Sequence, residues 1–313
     1  MLLFILRRLG AGLVMVWVLA TLTFLLTSLT GNDQARTLAG PTASAEAVEV
    51  VRIKLGLDRP VLERYFDWLA GAVQGDLGTS WFTNQPVARV IEQALPVSLS
   101  IVITAIILTA AVSTAVGVLA AIRRGWLDRA LQATSLLTFA IPNFLVGMLL
   151  ALVFAVMLGW LPAGGFTPFG ENPAAWIASI TLPSLALAIG SIAAAAAQTR
   201  AAMIEVLRED YIRTLRSRGL PTGSILLKHA LRNAAPSSLT VISIQFVAML
   251  GGAVVIEKVF ALSGIGKRIT SAAIQGDVPV VVGIVVVTVI LVVIVNLLAD
   301  LALGWLNPKA RAN

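Results

Sequence analysis

The chain has 313 residues, of which 58% are hydrophobic and only 12% are charged, and its formal net charge is +7. A soluble protein must cover its surface with polar side chains. The small share of charged residues therefore excludes a soluble domain. The sequence has no cysteine and one histidine, His229, which excludes disulfides, thiolate metal sites, cysteine nucleophiles and sites built on a histidine pair. The composition therefore predicts an integral membrane protein.

Six apolar stretches are long enough to cross a bilayer as helices, because a hydrocarbon core of about 30 Å requires about 20 helical residues. The predicted spans are residues 9–29, 97–122, 131–158, 177–199, 239–256 and 280–303. The first follows Arg7 and Arg8 as the apolar region of a signal peptide would. It is too long for such a region, so we expect an uncleaved helix.

The segment between the first two predicted spans, residues 31–93, is the one sizeable polar stretch. Apolar residues at helical spacing predict two short helices there, over residues 45–55 and 60–73. Gly56 is expected to end the first helix and Pro60 to begin the second. A segment of this size can cap the membrane core or contact a partner outside the membrane, but it is too small for a large binding domain.

Pro142 and Asn143 fall within the third predicted span. A proline inside a helix removes a backbone hydrogen bond, so we expect a kink at Pro142. Both a kink beside a transport pathway and a kink that serves packing alone fit the sequence. In the fourth span, residues 193–197 are all alanine, which favours close packing against a neighbouring helix.

Polar side chains inside a membrane span are candidates for a functional role. Gln198 and Asp300 lie near the ends of their spans, where a structural role is favoured. Asn296, four residues before Asp300, could bond to a neighbouring helix. Gln245, in the fifth span, is the best candidate for lining a pathway.

The connection between the fourth and fifth spans, residues 200–236, is basic and helical in pattern. Its first predicted helix, residues 202–218, carries an apolar face formed by Ile204, Leu207, Tyr211 and Leu215. Gly219 is a helix stop, and Pro221 suits the first turn of a second, short helix. The apolar side of that second helix carries Leu227, Leu231 and Ala234. Two helices joined at a Gly-Pro corner predict a rigid projection that docks onto a partner protein.

Lysine and arginine set the orientation, since they concentrate on the cytoplasmic side of membrane proteins. With both chain ends inside, the cytoplasmic segments carry 14 Lys and Arg against 5 Asp and Glu, and the outside segments carry 9 against 11. Residues 159–176, predicted outside, have no Lys or Arg. The positive charge therefore indicates topology rather than nucleic-acid binding.

Residues 263–268, Ser-Gly-Ile-Gly-Lys-Arg, look superficially like a phosphate-binding loop. Ala261 replaces the leading glycine of such a loop, and Arg268 stands where Ser or Thr must bind magnesium, which argues against a nucleotide site. The spans also lack a paired nucleophile and base at membrane depth, which argues against an intramembrane hydrolase.

Several separate motifs resemble the permeases of ATP-binding cassette (ABC) importers, and more narrowly the dipeptide, oligopeptide and nickel permease family. The strongest is the stretch over residues 210–220, followed by residues 229–234 and Pro236. Further matching stretches are residues 55–60, 75–80, 94–99, 158–162 and 252–257. One position departs from the pattern, since Leu215 replaces the usual alanine, although the apolar face is kept.

The resemblance implies an all-α integral membrane protein with six transmembrane helices, the type I ABC importer permease fold, and a small external helical segment. The implied regions are an N-terminal helix over residues 1–30, the external segment over 31–93, a permease domain over 94–303 and a tail over 304–313. The location implied is the inner membrane of a prokaryote, crossed several times, with both termini cytoplasmic.

The resemblance also implies partners: a second homologous permease, two ATPase subunits that bind ATP and magnesium, an extracytoplasmic solute-binding protein and membrane lipid. The chain itself is expected to hold no cofactor, metal or catalytic residue. The residues implied in ATPase coupling are Asp210, Arg213, Gly219, Leu220, Ser224, Lys228, His229, Arg232 and Asn233. Those implied to face the binding protein are Phe260, Ser263, Gly264, Gly266 and Arg268. The pathway candidates are Gln245, Pro142 and Asn143.

The leading alternative is an ion-coupled secondary transporter. Such a transporter would need ionisable groups in the middle of the membrane, where this sequence has uncharged polar residues. A structural scaffold without an ATPase partner is a further alternative. The sequence leaves the substrate open among dipeptides, oligopeptides, a nickel chelate, glutathione and modified sugars.

Overall fold

The computed structural model describes residues 2–29, 33–123, 125, 129–134 and 141–306, and most of these residues are helical. No β-strand occurs among them, and one isolated bridge pairs Thr79 with Pro86. The helices of the first half are α1 Leu2–Leu29, α2 Gln34–Ala39, α3 Ala45–Lys54, α4 Val61–Val73 and α5 Val87–Ile122. Those of the second half are α6 Asn143–Leu150, α7 Pro173–Val206, α8 Asp210–Ser217, α9 Thr222–Ser224, α10 Leu231–Val259, α11 Ile265–Gln275 and α12 Val278–Leu306.

Five helices within the described ranges are long and apolar enough to cross a membrane. They are Ile5–Leu29, Val87–Ile122, Pro173–Val206, Thr222–Val259 and Val278–Trp305, at the places of five of the predicted spans. Most run beyond the predicted bounds because the helix continues into residues that flank the apolar stretch. These helices confirm the prediction of an all-α integral membrane protein.

The third predicted span differs from the expectation of one bent helix over residues 131–158. The structure has a shorter apolar helix, Asn143–Met157, in which α6 continues as the π-helix Ala151–Met157. Pro142 has an extended backbone, with φ −60° and ψ 137°, so it precedes a helix instead of kinking one. The prediction of a kink is therefore wrong, since a proline at a helix start costs no hydrogen bond. Residues 135–140 lie outside the described residues.

The contacts divide the chain into two compact units, and the first comprises residues 1–97 and 263–294. Its core joins the first turns of α5 to α11 and α12 through Val87, Val90, Ile91, Ala272, Val280, Val281 and Ile284. The predicted helices over residues 45–55 and 60–73 are confirmed as α3 and α4, and Gly56 follows α3 with φ +65°. Helix α2 was not predicted, and Asp33 caps it by accepting a hydrogen bond from the Arg36 N–H.

Asp277 fixes the turn before α12 to a distant loop of the same unit. Its carboxylate is buried, and it accepts hydrogen bonds from the Ser80 hydroxyl at 2.5 Å and the Trp81 N–H at 3.2 Å. The preceding residue, Gly276, ends α11 in the left-handed conformation with φ +78°. A buried carboxylate needs such donors, because leaving it without them would cost more than the bonds contribute.

The second unit comprises residues 98–262 and 295–313, and α7 lies at its centre. A Cβ placed on Gly117 of α5 would stand 2.8 Å from the Ala196 carbonyl oxygen and 2.7 Å from the Thr199 side chain. Ala195 and Ala196 are fully buried. The alanine row therefore packs closely against a neighbouring helix, as its sequence predicted.

We expect Asp277→Ala to destabilise the protein, because it leaves the Ser80 hydroxyl and the Trp81 N–H without their acceptor at a cost of about 1–3 kcal/mol. Tryptophan fluorescence of the purified transporter during heating would show this as a lower melting temperature. The control is Asp67→Ala, which removes an exposed carboxylate paired with Arg59 and should change stability little. Equal melting temperatures for the two variants would contradict the role given to Asp277.

Candidate functional site

The basic connection over residues 200–236 folds differently from the two separate helices that its pattern predicts. Helix α7 continues to Val206, and a turn at Leu207–Glu209 separates it from α8, which begins at Asp210. The predicted single helix over residues 202–218 is therefore wrong. The break occurs where Glu209 adopts an extended backbone, with φ −64° and ψ 146°, and it places the Asp210 carboxylate in the first turn of a new helix. A carboxylate is favoured there by the helix dipole.

Ile212 anchors α8 to the rest of the second unit. Its side chain is fully buried, and it packs in an apolar cluster with residues from α5, α7 and the helix that follows α8. The buried members of this cluster are Ala121, Ala202, Met203, Ile212, Ile225, Ala230 and Ala234. Leu215, one turn after Ile212, is partly buried against the same cluster. Helix α8 thus lies against the ends of three membrane helices instead of hanging from a flexible loop.

Tyr211 was expected on the buried face of this helix, and the structure places it outside. Its side chain is exposed, and its hydroxyl accepts a hydrogen bond of 2.8 Å from the Asn233 side-chain amide. The turn before Asp210 rotates α8 relative to the predicted continuous helix, so that Ile212 replaces Tyr211 on the apolar side. The Tyr211–Asn233 bond adds a polar link between α8 and the following helix.

Gly219 ends α8 as predicted. It follows the C-cap residue Arg218 and has φ +76°, a conformation that costs other residues about 1–2 kcal/mol. Its N–H donates to the Arg216 carbonyl at 2.9 Å, and the Leu220 N–H donates to the Leu215 carbonyl at 3.3 Å. The Gly-Pro corner is therefore a hydrogen-bonded helix end that fixes the direction of the chain.

The second predicted helix is not a separate short element. It begins after Pro221 and continues without a break as Thr222–Val259, so the corner connects directly to the fifth predicted span. Residues Ile225–Ala230 are π-helical. A π-helix joins residue i to residue i+5 by a hydrogen bond and is wound more loosely than an α-helix, so Ile225 and Ala230 share the buried side. Leu227, predicted on that side, is 65% exposed.

The nine residues implied in ATPase coupling gather along this corner and the helix starts beside it. Exposed on the surface are Asp210, Arg213, Gly219, Lys228, Arg232 and Asn233, and partly buried are Leu220, Ser224 and His229. Asp210 and Arg213 pair at 3.4 Å, with side chains 94% and 80% exposed. Such an exposed pair contributes about 0–1 kcal/mol, so both charges can be redirected towards a partner.

The bend at Leu207–Glu209 also creates a cleft that sequence reasoning missed. It has a volume of about 560 Å³, and its walls carry charges of both signs. The lining residues are Arg200, Ala201, Ile204, Glu205, Arg208, Glu209 and Asp210. A continuous helix over residues 202–218 would present a convex surface at these residues, so no pattern in the sequence indicates the concavity.

The residues implied to face a binding protein divide between surface and core. Ser263 is exposed and Arg268 is partly buried. Gly264 and Gly266 are buried, and Phe260 is only 1% exposed. The phenyl ring of Phe260 therefore belongs to the interior of the second unit, where its carbonyl accepts a hydrogen bond from the Gly165 N–H at 3.2 Å.

The pathway candidates do not form one group. Asn143 lines an apolar cavity of about 320 Å³ together with residues of α5 and α7, among them Val116 and Ile189. Pro142 is exposed just before α6. Gln245 of α10 contacts Ser191 of α7, whose hydroxyl lies 3.5 Å from the Gln245 side-chain oxygen.

Comparison with known families shows which proteins this sequence resembles. Residues 113–312 match the model of the binding-protein-dependent transport system inner membrane component, and residues 1–102 match the model of the N-terminal part of such membrane components. The chain belongs to this family. It is a permease subunit of an ABC importer, an inner membrane protein with several membrane helices.

Individual relatives match nearly the full length of this permease. A protein of Brucella abortus (strain 2308), described as a candidate peptide transport system permease, is 39% identical over 98% of both chains. A candidate peptide ABC transporter permease of Sinorhizobium fredii is 37% identical over 98% of this chain and 99% of its own. The glutathione transport system permease of Escherichia coli (strain K12) is 35% identical over 99% of both. This permease therefore matches its relatives from end to end.

We expect Ile212→Ala to loosen α8, because removing a fully buried isoleucine side chain costs about 2–5 kcal/mol in a packed core. Hydrogen–deuterium exchange of the purified transporter should then show faster amide exchange over Asp210–Ser217. The matched control is Thr214→Ala on the exposed side of the same helix, which should leave exchange unchanged. Equal exchange in both variants would show that Ile212 does not anchor α8.

Proposed function

We propose that this permease and a second, homologous permease form the translocation pathway of an importer for peptides or related small solutes. In this proposal two ATPase subunits bind ATP and magnesium on the cytoplasmic side, and a solute-binding protein delivers the solute outside. The relatives described as peptide and glutathione permeases support this substrate class, and their end-to-end similarity supports the same role. The observation that carries the proposal is the anchoring of α8 by Ile212.

The proposed topology has six membrane spans with both termini in the cytoplasm. The five long apolar helices supply five of them, and the helix Asn143–Met157 with the chain before it supplies the third. At 1.5 Å per residue this helix spans about 22 Å, less than a hydrocarbon core of about 30 Å. The excess of Lys and Arg in the segments placed inside, 14 against 5 acidic residues, supports the orientation.

The proposed regions follow from this topology. Residues 1–30 form an N-terminal membrane helix, and residues 31–93 lie outside as a helical segment. Residues 94–303 form the permease domain, which includes the coupling loop over residues 200–236. The tail over residues 304–313 lies in the cytoplasm. In the external segment after α10, exposed Ser263 of the loop and partly buried Arg268 of α11 are the side chains proposed to meet the binding protein.

Coupling requires that movement of an ATPase subunit reach the membrane helices. In the proposed mechanism the exposed charges of α8 and of the following helix contact the ATPase, and the Ile212 cluster passes the displacement to α7 and α10. Because packed clusters resist deformation, α8 and these helix ends move as one body. ATP binding and hydrolysis then bias the pathway between outward-facing and inward-facing states. Gln245, Pro142 and Asn143 remain the proposed pathway residues.

The partners and the substrate can be tested together by purifying the permease with an affinity tag and identifying the subunits that accompany it. We expect a second permease and ABC ATPase subunits, and a peptide bound to its binding protein should raise ATP hydrolysis in reconstituted vesicles. The control is the binding protein without solute. A complex without an ATPase subunit, with uptake that survives ATP depletion and collapses with an uncoupler, would contradict the proposal and favour ion coupling.

A second test changes the corner itself. Gly219→Val should abolish transport while the complex still assembles, because valine disfavours φ +76° and would redirect the chain between α8 and the following helix. Apart from its two chain neighbours, no heavy atom of the described residues lies within 4 Å of a Cβ built on Gly219, so the effect comes from the backbone conformation. Gly223→Ala, also in open space and without positive φ, is the control and should transport normally. Normal uptake by the Gly219→Val variant would refute this role.

A further inference from the structure

Helix α4 has three distinct sides, and one of them is apolar and is not covered by any residue that the structure describes. Its buried side carries Tyr65, with Trp68 and Leu69 partly buried beside it. The exposed polar side carries Glu63 and Asp67. Between these sides, Leu62, Phe66 and Val73 form an apolar stripe with 63%, 61% and 82% of their areas exposed. The stripe continues the apolar arc of the buried side, since residues 62, 66, 69 and 73 recur at helical spacing.

The contact between α4 and α1 gives the depth of this helix in the membrane. The Tyr65 hydroxyl lies 2.7 Å from the Thr21 hydroxyl, and the Tyr65 ring packs edge-on against Phe24 with centroids 5.5 Å apart. Thr21 lies inside the apolar stretch Ile5–Leu29. It is 13 residues beyond Arg8, or about 20 Å along the helix, and the hydrocarbon core is about 30 Å thick. Tyr65 is therefore below the membrane surface.

The contacts of α4 with helix α12 indicate the same depth for α4. The cluster that contains Tyr65 also contains Val278 and Val282 of α12, and Val286 is partly buried against it. Val278 is the first residue of the helix, and Val286 lies eight residues further, or about 12 Å into the span. Two membrane helices thus place α4 beside the outer third of the hydrocarbon core rather than above it.

The polar side of α4 is arranged for the headgroup region. The Arg59 guanidinium pairs with Glu63 at 2.8 Å and with Asp67 at 2.7 Å, so that one cation bridges both carboxylates. These hydrogen bonds, first to Glu63 and then to Asp67, raise the pKa of Arg59 above its ordinary value. The Arg64 guanidinium lies 5.8 Å from the centre of a Trp81 ring. Tryptophan is enriched at the level of lipid headgroups.

We propose that α4 is an interfacial helix that inserts Leu62, Phe66 and Val73 among the acyl chains of one leaflet. Lipid is the occupant favoured by the depth of Tyr65, since a side chain exposed at that level meets acyl chains unless another protein covers it. Leu22 and Leu26 of α1, at the same level as Thr21 and Phe24, are likewise 53% and 60% exposed. The assignment to the outer leaflet rests on the topology proposed above.

The absence of cysteine from the sequence allows single-cysteine variants of the whole permease to carry a nitroxide label. The positions are Phe66→Cys and Leu62→Cys on the stripe, Asp67→Cys on the polar side and Leu22→Cys as a lipid-exposed reference. The labelled transporter, with its co-purified subunits, is reconstituted in phosphatidylethanolamine and phosphatidylglycerol vesicles. Collision with oxygen reports lipid, and collision with a water-soluble paramagnetic chelate reports water.

We expect oxygen to reach the labels at Phe66 and Leu62 several-fold more readily than the chelate does, as at Leu22, with the reverse at Asp67. Preferential access by the chelate at Phe66 and Leu62 would overturn the proposal and place the stripe in water, on a surface open to a binding protein. Exclusion of both reagents would also overturn it and assign the stripe to the second permease. An impermeant maleimide on Asp67→Cys in spheroplasts reports the side of the membrane, so an error in topology is distinguished from an error in depth.

Discussion

The burial of Ile212 against the ends of the membrane helices holds α8 in place. Burying such a side chain contributes about 1.5–3 kcal/mol, whereas the exposed Asp210–Arg213 pair contributes at most about 1 kcal/mol. The apolar contact therefore fixes the position of α8, and its charges remain directed outward. A helix held only by surface ion pairs would separate from the membrane helices when a partner displaces it. In the proposed mechanism, the packing of α8 against Met203 and Ala234 passes displacement to α7 and α10.

Several polar side chains in the interior of the second unit are hydrogen-bonded within the protein, since an unpaired polar group is costly away from water. The Ser184 hydroxyl donates to the Ile101 carbonyl at 3.1 Å, and the Ser98 hydroxyl donates to the buried Glu257 carboxylate at 2.5 Å. The hydroxyls of Thr199 and Ser238 lie 3.0 Å apart and link α7 to α10. These bonds, together with the alanine row of α7, permit close helix contacts without a hydrophobic driving force between the helices.

Much of this structure could be predicted from sequence because its signals are local. Apolar length indicates a membrane helix wherever it occurs, and Gly56 and Gly219 mark turns because a positive φ favours glycine. The features that were missed depend on tertiary contacts. The turn at Leu207–Glu209 orients α8 so that Ile212 packs in the apolar cluster. The π-helix at Ile225–Ala230 changes which residues of the following helix are buried. For Pro142, one sequence pattern allows both a kink and a helix start, and only the structure distinguishes them.

The same limit applies to the candidate site. The motif over residues 210–220 identified the family, and the coupling residues that it implies stay a prediction. The cleft beside Arg208 arises from a bend that no periodicity reveals. The most direct test of the account is a photoreactive amino acid at Arg216, on the exposed side of α8, in cells that carry the complete transporter. The account predicts an adduct with an ABC ATPase subunit. An adduct with the external binding protein, or no ATPase adduct in a transporter that still imports, would contradict it.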